Sequence, residues 1–153
     1  MNIKYVLGIV IVILLISNII CVYEMQNSNQ NLNGVGVIGD KSIKLPENFS
    51  LENGPNQIEL SNGVDKIYVY KLNTSDIDSA INEYKNKFSE NFTITVKEFD
   101  SKFADKKTIA IKNDTAISKY WFKLDDSVYQ IQMNKNDKEH DEIVKNMINS
   151  MSK

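Results

Sequence analysis

The chain has 153 residues, and about 130 of them follow a long apolar N-terminal segment, enough for one ordinary domain with its own core. A formal net charge of -2, with lysines and acids interspersed, offers no basic surface for phosphates and so excludes nucleic acid as a partner. The single cysteine, Cys21, lies inside the apolar segment, so the folded part holds no disulfide framework, zinc cluster or thiol nucleophile.

Residues 1–23 come first. From Tyr5 to Tyr23 no residue is charged. A secretory apolar region runs roughly 7–15 residues and ends at a small-x-small cleavage site. Here the run is about 19 residues, the length that crosses a hydrocarbon core as a helix. It closes on "SNIICVYE", with bulky isoleucines where a peptidase wants small side chains. A lipobox would place a small residue before Cys21, and Ile20 stands there. The segment is therefore expected to remain as a transmembrane anchor. Cleavage, acylation of Cys21 and a pilin-like use of the same helix are the alternatives. Lys4 precedes the segment and Glu24 follows it, so the positive-inside rule keeps the N-terminus cytoplasmic and the C-terminal bulk outside. The expected location is the cell membrane, crossed once through residues 5–23, with Tyr5 and Tyr23 at its two interfaces.

Residues 24–34, "EMQNSNQNLNG", are polar and aperiodic, as a short flexible tether is. Residues 35–153 should form the extracytoplasmic domain. "GVGVIGDKSIKLPENFSLENG" reads as one or two short strands, and "NQIELSNG" as another, closed by Asn62-Gly63. "DKIYVYKL" is apolar on both faces, which suggests a central strand. The period then changes: Ile77, Ala80, Ile81, Tyr84 and Phe88 make one helical stripe, with Ser75 and Asp78 as a capping box. "NFTITVKEFD", "KKTIAIKN", "TAISKYWFKLDD" and "SVYQIQMN" return to strands, with turns at Asn113-Asp114 and Asp125-Asp126. The last helix, "DKEHDEIVKNMINSM", carries Val144, Met147, Ile148 and Met151 on one face. Strands joined by tight turns must pair antiparallel, and the first helix is the one connection long enough for a crossover. The predicted class is α+β: an antiparallel sheet with two helices packed on it, behind the transmembrane helix.

This order resembles the PsbP/Mog1-like superfamily. The resemblance is carried by "IKLPENFSL" as an opening strand, the helix "DIDSAINEYKNKF", the antiparallel run ending "YWFKLDDSVYQIQM", and the closing helix "DEIVKNMINSM". It covers residues 40–151. Small membrane-tethered members of that superfamily occur in prokaryotic envelopes, and the resemblance implies a binding or accessory module rather than an enzyme. It carries over no catalytic residues.

The chemistry in the chain is sparse. His140 borders the apolar stripe of the last helix and reads as a surface histidine; one histidine without partners makes neither a metal site nor a triad. Asp137, Glu139, Asp141 and Glu142 read as helix-start acids rather than calcium ligands, because the segment lacks the glycine of an EF-hand loop. No phosphate-binding, dinucleotide or hydrolase motif occurs, so no catalytic residue, metal ligand or cofactor is assigned. The partner or ligand patch is instead sought among strand aromatics: Trp121, Tyr120, Tyr68 and Tyr70. Alternation puts Tyr120 and Phe122 on one face and Trp121 on the other, either under a helix or displayed. Four sequons, at Asn48, Asn73, Asn91 and Asn113, would be glycosylation acceptors outside the membrane. The expected function is a non-catalytic envelope module binding an unknown protein or ligand. The alternatives are a small hydrolase using paired carboxylates, or a structural subunit assembling through its apolar helix.

Overall fold

Period-two patterning builds strands over most of the domain, in a computed structural model that describes residues 34–53, 56–103 and 105–151. The expected anchor over residues 5–23, and the tether as far as residue 33, lie outside the described residues. No helix among the described residues is long and apolar enough to cross a membrane.

The first segment forms three strands rather than the one or two expected. β1 (Val35–Ile38) and β2 (Lys41–Lys44) make a separate hairpin, turning at Gly39-Asp40, and β3 (Ser50–Asn53) joins the main sheet. Gly39 takes φ 63°, a left-handed conformation that glycine adopts without strain. After β2, Pro46 and the left-handed Asn48 break the extended run and redirect the chain. Gly36 sits where a Cβ would stand 3.1 Å from Ile58 Cδ1, so the hairpin backbone lies directly on the core.

The main sheet adds β4 (Gln57–Ser61), β5 (Lys66–Lys71), β6 (Thr93–Phe99), β7 (Asp105–Lys112), β8 (Thr115–Leu124) and β9 (Ser127–Met133). Its order is β3-β4-β5-β9-β8-β7-β6, and every neighbouring pair is antiparallel. The central position expected for β5 is observed, between β4 and β9. The crossover is made by α1 (Ile77–Phe88), which carries the chain from β5 to the far edge at β6. The expected turns at Asn113-Asp114 and Asp125-Asp126 are two-residue connections, with φ 52° at Asn113 and 54° at Asp125. These are values Asn and Asp tolerate better than other side chains.

Each face of the sheet has its own core. On one face Ile58, Leu60, Ile67, Val69, Tyr120, Phe122, Tyr129 and Ile131 pack under the β1–β2 hairpin and α2 (Lys138–Ser150). The predicted α2 stripe of Val144, Met147, Ile148 and Met151 is fully buried there. On the other face Ala80, Ile81 and Tyr84 of α1 cover Ala110 and Trp121. The described residues thus form an antiparallel sheet with one helix on each face.

Two local expectations change. Asp76, not Ser75, caps α1: its carboxylate accepts from the backbone N–H groups of both Asp78 and Ser79. One aspartate thereby satisfies two orphan donors, which a serine hydroxyl could not do as well. His140 is buried rather than on the surface, at 7% exposure. Its Nδ1 lies 2.6 Å from Oδ1 of Asp137, the cap of α2, and its Nε2 faces Asp65 at 3.7 Å.

A buried polar knot fixes α2 to the sheet. Lys107 of β7 donates to Asp141 and to Asn136, while the Tyr120 hydroxyl donates to the same Asp141 oxygen at 2.6 Å. Lys107 also lies over the Tyr120 ring, 5.1 Å from its centroid. Tyr120 is therefore a core residue whose polar tip is satisfied, and its phenol pKa is raised by burial and by the Asp141 hydrogen bond.

Candidate ligand-binding cleft

The register on the α1 face sets Tyr70, Gln130 and Trp121 in one cross-strand row, and Tyr68, Gln132 and Lys119 in the next. α1 covers only the Trp121 end of these rows. Beside it, Thr74, Glu83, Tyr84, Lys87, Lys119 and Trp121 are among the residues that line a cleft of about 300 Å3, with the Gln130 amide in its wall.

Of the four aromatic candidates, three share this face and one does not. Tyr120 points into the opposite core and is fully buried. Trp121 is 2% exposed, so it is not displayed as a free patch. Its Nε1 donates to the buried Thr108 hydroxyl at 2.9 Å, which fixes the indole, and its ring packs 5.8 Å from that of Tyr84. Tyr68 and Tyr70 are half-buried and stacked, with centroids 6.3 Å apart. Burial raises the Tyr70 and Tyr84 phenol pKa values, so both rings stay neutral around pH 7. The four sequon residues, Asn48, Asn73, Asn91 and Asn113, are all exposed, and Asn73 stands at the rim of the cleft.

Lys119 was not apparent from sequence alone as a site residue. Its ammonium stands 4.2 Å from the Tyr84 ring centroid and 5.8 Å from that of Trp121. Burial, with a smaller contribution from the nearby Lys87 charge, lowers its pKa to about 8. By contrast, Lys41, Lys106 and Lys107 each meet a carboxylate. The one signal in the sequence was alternation, which puts Lys119 on the Trp121 face. The partners that make it distinctive come from α1.

Two other features are chemically weaker. A groove of about 540 Å3 between β2 and α2 is larger, but its lysine, Lys44, is exposed, and among the described residues no aromatic ring lines it. Asp105 is a buried carboxyl whose Oδ2 accepts from the Ser101 hydroxyl while Oδ1 has no partner among the described residues. Burial pushes it up to about 6 from 3.8, with the Ser101 hydrogen bond opposing, and no second carboxylate contributes to the shift. Among the described residues no three histidine, cysteine, aspartate or glutamate side chains gather as a metal would need.

The folded state therefore holds the Asp105 proton more tightly than the unfolded chain does. The stability this contributes is complete below 3.8 and is lost as the pH rises through about 6. Asp105→Asn is expected to flatten that slope and to stabilise the domain above pH 6, as read from denaturant midpoints across the range. Compared with known proteins, the chain matches no family model and no curated protein.

Proposed function

We propose that the protein is a membrane-anchored, extracytoplasmic binding module that holds its ligand or partner at the cleft beside α1. The observation that carries this reading is a cleft floored by Trp121 and Tyr84 in which the Lys119 ammonium lies against two rings and, among the described residues, forms no ion pair. Concave sites with an apolar floor and a few converging polar groups are the usual form of small-molecule sites. The anchored, outward-facing placement is supported by the uncharged Tyr5–Tyr23 segment and the flanking Lys4 and Glu24. The resemblance to PsbP/Mog1-like envelope modules rests on the order of strands and helices read from the sequence over residues 40–151. A carboxylate hydrolase is disfavoured because, among the described residues, the one carboxyl with a strongly raised pKa, Asp105, has no second acid acting on it.

A photo-reactive side chain at position 73, on the cleft rim, should form an adduct in intact cells. The same group at position 44, beside the β2–α2 groove, should not. Adducts from position 44 alone would move the binding site to the other face.

A further inference from the structure

We propose that the cleft beside α1 takes a small anionic ligand with a planar or aromatic body. Its carboxylate or phosphate sits between Lys119 and Lys87, and its body lies against Trp121 and Tyr84. This rests on the reading of the domain as a binding module and names the class of ligand.

Charge is the first support. Lys119 reaches the cleft from β8 and Lys87 from α1, so two separate elements bring like charges to one place. Among the described residues the Lys119 ammonium makes no hydrogen bond or ion pair, and two rings lie against it. Aromatic faces compensate a partly desolvated ammonium less than a carboxylate does. The remaining charged and titratable groups facing Lys119 are Glu83 and Tyr84 of α1. Its neighbours in register on β7 and β9, Thr108 and Gln132, are neutral. Glu83 also lines the cleft but is exposed, and among the described residues it forms no ion pair with either lysine. An anion placed between the two ammonium groups would relieve their repulsion.

Size and shape are the second support. About 300 Å3 lies at the low end of small-molecule cavities and suits a ligand with one ring system. Thr108 holds the indole in place, so the aromatic floor is pre-formed. Gln130 and Thr74 add an amide and a hydroxyl that can orient a polar head.

Trp121 is the only tryptophan in the chain, so its emission reports on the cleft even in the full-length protein in detergent. Benzoate and phenyl phosphate serve as probes, with benzyl alcohol as the neutral counterpart. The two anions are expected to shift the emission saturably, and the preferred one identifies the head group. Lys119→Met and Lys87→Ala should each weaken that binding about tenfold. Lys87 is exposed, so its variant keeps the test valid should Lys119→Met fail to fold. Binding should also weaken as the pH rises through about 8, where Lys119 gives up its proton.

If benzyl alcohol binds as tightly as the anions, or if both lysine variants bind unchanged, the anionic class is overturned and the binding module stands. If no probe shifts the emission while position 73 still forms adducts in cells, the small-ligand proposal is overturned alone. No shift together with no adduct overturns both.

Discussion

Trp121→Ala is expected to destabilise the domain by about 3–5 kcal/mol, the range for deleting a large buried aromatic side chain. Such a loss is a large part of the roughly 5–15 kcal/mol that holds an ordinary domain together. Three losses combine at this position. The side chain is 2% exposed, so almost all of its apolar surface returns to an unfilled cavity. The buried Thr108 hydroxyl loses the indole N–H, and Tyr84 of α1 loses the ring it packs against. Trp121→Phe keeps a ring under α1 and should cost clearly less. Denaturant unfolding of the two variants checks the order, with the slope m expected to stay constant. Because the alanine change threatens the fold itself, loss of ligand binding in that variant would say little about recognition. The exposed Lys87 is the better probe of the cleft.

Asp141→Ala should be the second most damaging single change, at about 3 kcal/mol. Its carboxylate accepts from both Lys107 and Tyr120, and Lys107 is only 5% exposed. Removing it leaves a buried ammonium with Asn136 as its remaining hydrogen-bond partner, and a buried phenol without its acceptor. The asymmetry of buried pairs makes a sharper expectation. Replacing all three groups together, as Lys107→Met, Tyr120→Phe and Asp141→Leu, should recover most of the loss, because no polar group then remains unpaired. If the triple variant is no more stable than Asp141→Ala, the knot contributes by packing rather than by charge pairing.

The fold was largely legible because its signals are local. The switch from period two to period three-to-four at Ile77, and back at Thr93, marks α1 within a run of strands. Tight turns at Asn113 and Asp125 then force β7, β8 and β9 into antiparallel neighbours. The separate β1–β2 hairpin was less legible, since Pro46 and Asn48 look the same whether the chain bends within a sheet or leaves it. Burial of His140 was missed because its partner Asp65 is distant in sequence and comes close only when the β4–β5 turn meets α2.

The cleft was the least legible part. Alternation correctly separates Trp121 from Tyr120, yet it says nothing of which helix covers which face. Lys119 looks like any strand lysine until Tyr84 and Lys87 arrive from α1 and Gln130 from β9. Those contacts depend on a crossover that carries the chain past three strands. Aromatic residues were easy to single out one by one. The cation they surround was not.

Membrane-impermeant maleimide labelling of a single introduced cysteine tests the central claim most directly. Cys21 is the only native cysteine, so a Cys21→Ser, Lys87→Cys chain carries one thiol, on the exposed rim of the cleft. An anchored module working outside predicts labelling in intact cells at the rate seen after lysis. Labelling that appears only once the cells are broken would contradict it.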